Sequence, residues 1–448
     1  MFISSALVVA ALAASTGAQS LTLSGTNTAG DLSGGDYATG TYRSYDSTIS
    51  LSTSNSYFTI SGGSASSTQT AKPQNETITT NGTTITRTSA TQTLLSASAG
   101  NSTTATGSSS STAARPSNTQ PCNGYPELCN RKYSNFTMVA AHNSPFDIKG
   151  NVASNQALDV TTQLNDGIRM LQFQTHKPNS TSPIRLCHTS CDLLDAGTLV
   201  DYLTTVRQWL DANPYEVVTI LMGNDDVLAP GNYTDPVYNS GLIRYVYTPP
   251  KVPMSLADWP TLGEMILRGT RAVVMLDYEA DQQTIPWLLD EFAQFWETPF
   301  SPTDREFPCT VDRPPNQDRN ISANRMIIAN HNLNVNVDIG SLGINLLIPA
   351  TTLLNETNAV TGYGSAGVAA SNCTSDWNRP PNVLLVDFYN VGSFNGSVFQ
   401  VAADANGVTY NRDSCCGLTQ AELNFAPSLK LDKILIGVLI GLSMFMML

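Results

Sequence analysis

Short apolar runs alternate with amphipathic stretches from about residue 121 to residue 416. The runs predict buried strands and are Thr137–Ala141, Ile168–Gln174, Val217–Met222, Ala272–Leu276, Met326–Ala329 and Val383–Val386. Between them lie helical patterns such as Thr198–Ala212, whose apolar residues fall on one stripe. Strands that alternate with helices indicate a mostly parallel sheet. Nearly 300 residues in this rhythm favour one closed α/β barrel over two small domains.

The preceding stretch has a different texture. From Ser20 to about Gln120 the sequence is dominated by Ser, Thr, Gly and Asn. Such a composition buries too little apolar surface to offset chain entropy, so we predict a disordered, O-glycosylated stalk over residues 19–120. Alternating apolar residues at Tyr42–Ile60 indicate a small β element inside this region.

Both ends of the chain carry targeting patterns. The apolar run Ala6–Ala14 and the small residues after it predict a signal peptide over residues 1–18, cleaved after Ala18. Ile434–Leu448 is apolar and shorter than a membrane-spanning helix, and it follows a polar spacer. This pattern predicts a glycosylphosphatidylinositol (GPI) anchor signal over residues 418–448, with a short tail anchor as the alternative. The attachment residue is Asn424 or Gly417. We therefore expect secretion to the cell surface, on the outer leaflet of the plasma membrane or in the cell wall.

Eight cysteines in a secreted chain should be oxidised to disulfides. Eight cysteines allow 105 connectivities; Cys122–Cys129 and Cys187–Cys191 are the local pairs that spacing favours. Ten Asn-x-Ser/Thr sequons predict a glycoprotein. The net charge of −13 argues against binding to nucleic acid, which needs clustered Lys and Arg. We expect a monomer.

Polar residues follow almost every predicted strand, and the carboxyl ends of parallel barrel strands are where functional groups gather. These residues are His142, Asn143, Gln172, Gln174, His176, His188, Asn224, Asp277, His331 and Asp387. Two histidines and a carboxylate fit acid–base catalysis, because the pKa of histidine lies close to working pH. Cleavage of a phosphodiester also needs a cation or strong hydrogen-bond donors for the phosphoryl oxygens. We expect His176 to be solvated and outside the site.

Four motifs in order resemble the X-domain of phosphatidylinositol-specific phospholipases C, most closely its secreted fungal phosphodiesterase branch. They are VAAHNSPF, TTQLNDGIRMLQFQTH, LCHTSC and TLVDYLTTVRQWLDANPYEVVTIL, and the resemblance extends from about Cys122 to Cys416. It implies an irregular TIM (β/α)8 barrel over residues 121–417. It also implies that His142 is the general base for the inositol 2-hydroxyl, that His188 is the general acid, and that Asp387 is the partner of the base. The product would be a cyclic inositol phosphate.

The chain departs from the family pattern in the second strand. Gln172 and Gln174 stand where the family places acidic residues, or an Asp and an Arg. Amides bring no charge, and a hard cation prefers several carboxylates. We therefore expect no tightly held metal and at most weak Ca²⁺ binding. The residues predicted to bind substrate are Asn143, Gln172, Gln174, Asn224, Asp277 and His331.

The leading hypothesis is a cell-surface phosphoric diester hydrolase that uses His/His acid–base chemistry on a lipid or glycan phosphodiester. Its partners would be a phospholipid or inositol-phosphate-like substrate and the membrane that holds the anchor. One alternative is a catalytically inactive GPI-anchored wall or adhesion protein with a ligand-binding barrel mouth. The other is a metal-dependent glycerophosphodiester or sphingolipid phosphodiesterase.

Overall fold

The computed structural model describes residues 41–45, 47–51, 75–80, 83–88, 120–188, 190–339, 344–411 and 415–416. The predicted signal peptide, the predicted anchor signal and most of the predicted stalk lie outside these residues. Chain contacts divide the protein into two units, Ser54–Ser117 and the remainder. In the part of the chain that is described, no helix is both long and apolar enough to cross a bilayer.

The described strands are β1 (Ile49–Ser50), β2 (Asn75–Thr80), β3 (Thr83–Thr88), β4 (Met138–Ala141), β5 (Met170–His176), β6 (Arg185–Cys187), β7 (Asp195–Thr198), β8 (Val218–Gly223), β9 (Lys251–Val252), β10 (Ala272–Leu276), β11 (Leu288–Asp290), β12 (Phe295–Glu297), β13 (Met326–Asn330), β14 (Asn334–Ile339), β15 (Ile344–Pro349) and β16 (Val383–Val386). Eight of them form a curled parallel sheet in the order β11-β10-β8-β5-β4-β16-β13-β12. The hydrogen-bonded ladder ends at β11 on one side and at β12 on the other. The predicted irregular α/β barrel is confirmed, and all six predicted strands belong to this sheet.

The described α-helices are α1 (Val160–Asp166), α2 (Leu199–Ala212), α3 (Thr234–Asn239), α4 (Leu262–Arg268), α5 (Glu291–Gln294), α6 (Arg319–Ala323), α7 (Leu354–Thr357), α8 (Ala366–Trp377) and α9 (Ser397–Asn406). The amphipathic stretch predicted at Thr198–Ala212 forms α2, and the side chain of Thr198 caps it by accepting from the backbone N–H of Asp201. The stripe of α2 is buried against the sheet. Helical covering of the outer face explains why the strands read as continuous apolar runs.

Alternate strand residues enter two different cores. Residues such as Leu171, Ile220 and Val274 point outward and pack against the helices. Their neighbours from all eight strands, Met170 and Leu385 among them, point inward and fill the floor of the barrel. Because side chains alternate along a strand, the next inward positions toward the carboxyl end lie above this floor. Those positions are polar, and they form the mouth.

Residues 41–51 correct the predicted domain boundary. This segment belongs to the barrel unit, although its composition placed it in the stalk. The strand β1 pairs with β9 in an antiparallel register, and Leu51 is buried beside Val252. Tyr45 donates a hydrogen bond of 2.7 Å to Asp290 at the end of β11. The small β element predicted within Tyr42–Ile60 is confirmed at Ile49–Ser50, since apolar alternation decides the local structure where composition does not.

The smaller unit contains a hairpin of β2 and β3, in which Ile78 lies opposite Ile85. In the barrel unit all eight cysteines are paired. The two local pairs favoured by spacing, Cys122–Cys129 and Cys187–Cys191, are confirmed. The others join Cys309 to Cys373 and the adjacent residues Cys415 and Cys416.

Candidate active site

His142 and Asp387 meet at the mouth because β4 and β16 are neighbours in parallel register. Each follows its strand on an inward position. The Nδ1 of His142 lies 2.7 Å from Oδ1 of Asp387, and both residues are buried. A carboxylate at Nδ1 fixes the proton there and leaves Nε2 as the basic nitrogen. The structure therefore brings the predicted base and its predicted partner into direct contact.

Two asparagines complete this dyad. The Nδ2 of Asn155 donates to the same Oδ1 of Asp387 at 2.9 Å and holds the carboxylate in place. The Nδ2 of Asn332 lies 3.4 Å from Nε2 of His142, the nitrogen that the Asp387 contact leaves basic. Asn332 lies four positions after the inward-facing Ile328, so the alternation of side chains along the strand could have predicted that it lies in the mouth. Asn155 lies in a loop and carries no such signal in the sequence.

His188 follows β6, and its position is fixed by short-range contacts. The disulfide between Cys187 and Cys191 spans it, and its backbone N–H donates to the Leu194 carbonyl at 3.0 Å. Its ring packs edge-on against Phe146. Burial, and then the charges of His142 and His176, lower the pKa of His188 from 6.5 to about 4. The two predicted catalytic histidines are thus electrostatically coupled, and His188 is neutral near pH 7 in the free protein.

The amides that replace charged residues also lie at the mouth. Gln172 Oε1 accepts the backbone N–H of Asn143 at 3.0 Å, and Asn143 adopts a left-handed backbone conformation. Asn143 Oδ1 and Gln174 Oε1 are buried and have no hydrogen-bond partner among the described residues. The side chain of Gln174 lies over Gly223, where a Cβ would overlap its Oε1. Two buried acceptors without donors indicate that this part of the mouth is built to receive hydrogen-bond donors or water.

These residues do not make a fitting site for a hard cation. The family positions in β5 offer neutral amide oxygens, whereas Ca²⁺ prefers several carboxylates. Within the described ranges, the groupings of three His, Cys, Asp or Glu ligand atoms both include disulfide-bonded cysteines, which are Cys415 with Cys416 and Cys187 with Cys191.

Asn224 is not available to a substrate, which corrects its predicted role. It is fully buried, its Nδ2 donates to the carbonyls of Leu228 and Tyr278, and its Oδ1 accepts from Leu228 N–H and Tyr233. Its backbone N–H donates to Asp277. Asn224 therefore shapes the loop after β8.

Asp277 lies on an inward position but is engaged by the protein. Its Oδ1 accepts the backbone N–H groups of Asn224 and Tyr278, and its Oδ2 lies 3.7 Å from Arg313. Burial raises the pKa of Asp277 to about 7, an effect that the Arg313 charge partly opposes. Asp277 joins a buried ionic cluster on the β10–β12 side of the mouth.

His331 does not line the mouth, which corrects its predicted role in substrate binding. It has the outward parity of Ala329, stacks on Phe307 and donates from Nε2 to the Thr357 carbonyl at 2.8 Å. Burial lowers the pKa of His331 to about 4. Counting along the strand from an inward residue would have placed it outside the barrel.

Comparison with known proteins identifies the family of this chain. A model of the PI-PLC X family matches residues 128–401. An uncharacterized secreted protein of Arthroderma benhamiae is 60% identical over 305 residues, which are 68% of each chain. A PI-PLC X domain-containing protein of the same fungus is 44% identical over 274 residues, which cover 60% of this chain and 86% of that protein. Phosphatidylinositol-specific phospholipase C of Listeria monocytogenes shares 14% identity and a TM-score of 0.40, over 63% of this chain and 97% of that one. The chain belongs to the PI-PLC X domain family.

Proposed function

We propose that this protein is a secreted phosphoric diester hydrolase of the phospholipase C type, with an inositol-phosphate-like lipid or glycan diester as substrate. Family membership supports the phospholipase C-like activity. The single observation that carries the mechanism is the buried dyad of His142 and Asp387, 2.7 Å apart at the carboxyl edge of the barrel. The name of a fungal relative supports secretion. The GPI anchor and the cell-surface location are parts of this proposal that rest on the sequence pattern.

In the proposed reaction Nε2 of His142 removes the proton of a substrate hydroxyl as its oxygen attacks phosphorus. Asp387 stabilises the imidazolium that forms, because its carboxylate accepts the Nδ1 proton. The bond from phosphorus to the leaving oxygen breaks, and His188 donates a proton to that oxygen. The products are a cyclic phosphodiester and an alcohol, with each proton accounted for by one histidine.

The acid step depends on substrate binding. The low pKa of His188 in the free protein results from burial and from neighbouring positive charge. A bound phosphodiester is an anion, and a nearby negative charge favours the charged form of histidine. Substrate binding should therefore raise the pKa of His188 and load the general acid with a proton.

A second function, ligand binding without turnover, is supported by one feature of the mouth. Gln172 and Gln174 supply hydrogen-bonding amides where a charged group would assist the transition state. In that case the protein would bind inositol phosphates or wall glycans and release them unchanged.

The full chain, purified from a secretory host, should be assayed on phosphatidylinositol, lysolipids, glycerophosphodiesters and an aryl phosphodiester, with phosphorus NMR to detect a cyclic product. His142→Gln should lower kcat by about 10²–10⁴-fold, the usual contribution of a general base. His331→Gln changes a histidine on the outer face and should retain wild-type activity. Turnover by wild type that is equal in His142→Gln excludes His142 as the base. Binding of inositol phosphate with no turnover on any substrate supports the second function, and loss of activity with a chelator supports a metal-dependent enzyme.

A further inference from the structure

His176 lies on the same inward face of β5 as Gln172 and Gln174. The alternation begins with Met170 in the floor of the barrel and continues through the two glutamines to His176 at the end of the strand. His176 is half-buried, with 15% of its side chain exposed. The sequence therefore places a histidine directly above the two amides, and our expectation that it is merely solvated is not met.

The contacts of His176 repeat those of the catalytic dyad. Its Nδ1 lies 2.9 Å from Oδ1 of Asp226, and the other oxygen of Asp226 accepts the Lys177 backbone N–H at 2.6 Å. This second bond fixes the carboxylate, and the carboxylate fixes the ring. The Nε2 of His176 is buried and has no hydrogen-bond partner among the described residues. A buried ring nitrogen without a hydrogen-bond partner, in an imidazole of fixed orientation, indicates a site for a ligand.

The charges around the mouth show why such a group matters. Transfer of a phosphoryl group concentrates negative charge on the non-bridging oxygens, which need a cation or strong donors. Arg313 is occupied, since it donates to Glu297, Tyr278 and Tyr42. The Nζ of Lys177 donates to Asn232.

We propose that His176, protonated and oriented by Asp226, donates from Nε2 to a non-bridging phosphoryl oxygen and supplies the positive charge that Gln172 and Gln174 lack. The inference rests on the proposed function for its catalytic consequence. It assigns His176 to substrate binding and His188 to proton transfer.

Two electrostatic observations support this division. The charge of His176 contributes to lowering the pKa of His188, so it is felt at the acid. Asp225 lies 3.9 Å from Nε2 of His176, beyond hydrogen-bond distance, and burial raises its pKa. Asp226, within hydrogen-bond distance of Nδ1, is therefore the carboxylate that orients the ring, while Nε2 lies beyond hydrogen-bond distance of Asp225.

The test compares two leaving groups. Wild type, His176→Gln, His176→Lys and His188→Gln are assayed on phosphatidylinositol, which has an alkoxide leaving group, and on the 4-nitrophenyl ester of inositol 1-phosphate. His176→Gln should lower kcat/KM about 10²-fold on both substrates, because a donor to the non-bridging oxygens acts whatever the leaving group. His176→Lys should recover at least tenfold of that loss. His188→Gln should impair only the alkoxide substrate, since nitrophenolate needs no proton.

The matched control is Arg185→Ala. Arg185 lies opposite His176 on the neighbouring strand β6, and its charge is paired with Asp195. It should change neither substrate. A His176→Gln activity within threefold of wild type overturns the inference, as does a loss confined to the alkoxide substrate, which would make His176 the acid. Thermal unfolding of each variant separates these effects from misfolding.

Equilibrium binding of inositol 1-phosphate by calorimetry keeps the inference testable if wild type turns over no substrate. His176→Gln should weaken this binding about tenfold, and equal affinity overturns the inference. Weakened binding in a protein without turnover supports His176 as the anion-binding group and counts against the hydrolase itself.

Discussion

Replacement of Asp387 by Asn tests the catalytic dyad with little change in shape. Oδ1 of Asp387 accepts from Nδ1 of His142 and from Nδ2 of Asn155, while Oδ2 has no partner among the described residues. An amide can keep its oxygen toward both donors and place its NH₂ where Oδ2 was. The substitution therefore removes the negative charge and preserves the hydrogen bonds.

The expected loss follows from the charge. Two unit charges about 4 Å apart interact by about 4 kcal/mol at an effective dielectric constant of 20, and a hydrogen bond to a charged group contributes about 1.5–3 kcal/mol. Loss of about 2–4 kcal/mol of imidazolium stabilisation lowers kcat by about 30- to 10³-fold, at one decade per 1.36 kcal/mol. Because Asp387 is 2% exposed, added salt should not reduce this loss.

The assay measures kcat on an aryl phosphodiester, whose leaving group needs no acid, together with thermal unfolding. The midpoint of unfolding should stay or rise, because a buried carboxylate with one unpaired oxygen is replaced by a neutral group. A loss of less than fivefold in a folded variant would refute the reasoning, since His142 would then not gain positive charge in the transition state.

Three further predictions concern stability and the mouth. Burial lowers the pKa of His331 from 6.5 to about 4, so the unfolded chain takes up a proton in this window that the folded protein does not. The free energy of unfolding should therefore fall as the pH drops from 6.5 to 4. In His331→Gln this total fall should be smaller by on the order of 3 kcal/mol, as measured by urea titration at each pH. Gly223→Ala should displace Gln174 and alter KM or kcat while the protein stays folded by circular dichroism. Serine at both Cys309 and Cys373, which are 64 residues apart, should lower the free energy of unfolding by about 4 kcal/mol in the same titration.

These three predictions have the following control variants and contradicting results. Gly231→Ala places a Cβ where nothing lies within 4 Å and should be silent. Serine at both Cys122 and Cys129, which are only seven residues apart, should lower the free energy of unfolding by less than serine at Cys309 and Cys373 does. A pH slope unchanged in His331→Gln would mean that this histidine titrates alike in the folded and unfolded chain. Unaltered kinetics in Gly223→Ala would show that the position of Gln174 does not matter.

Much of the barrel could be predicted because its strands are buried on both faces and read as apolar runs. The short strands β11 and β12 escaped prediction, since three residues each carry no period. Alternation along the strands accounts for the correct and the wrong site predictions. His142 and Asp387 lie two positions after the inward residues Ala140 and Leu385. His331 lies two positions after the outward Ala329. Asn224 was misassigned because its hydrogen bonds to Leu228 and Tyr278 depend on how the loops fold together.

His176 illustrates the remaining gap. Its place on the inward face of β5 can be read from the sequence, but its orientation depends on Asp226, which arrives on a different loop 50 residues later. The boundary of the stalk failed for a related reason. Tyr45 and Leu51 contact residues some 200 positions later in the chain, and local composition cannot predict such contacts.

Because residues 41–51 pack in the barrel unit, the Ser/Thr-rich stretch that follows them is attached to that unit at both of its ends. Chain that leaves the barrel unit after Leu51 and rejoins it at Gln120 is a closed loop, with both attachment points on one body. A single proteolytic cut within it would nick the protein and leave two fragments held together by Tyr45, Leu51 and the β1–β9 pairing. A linear stalk cut at the same place would release the barrel.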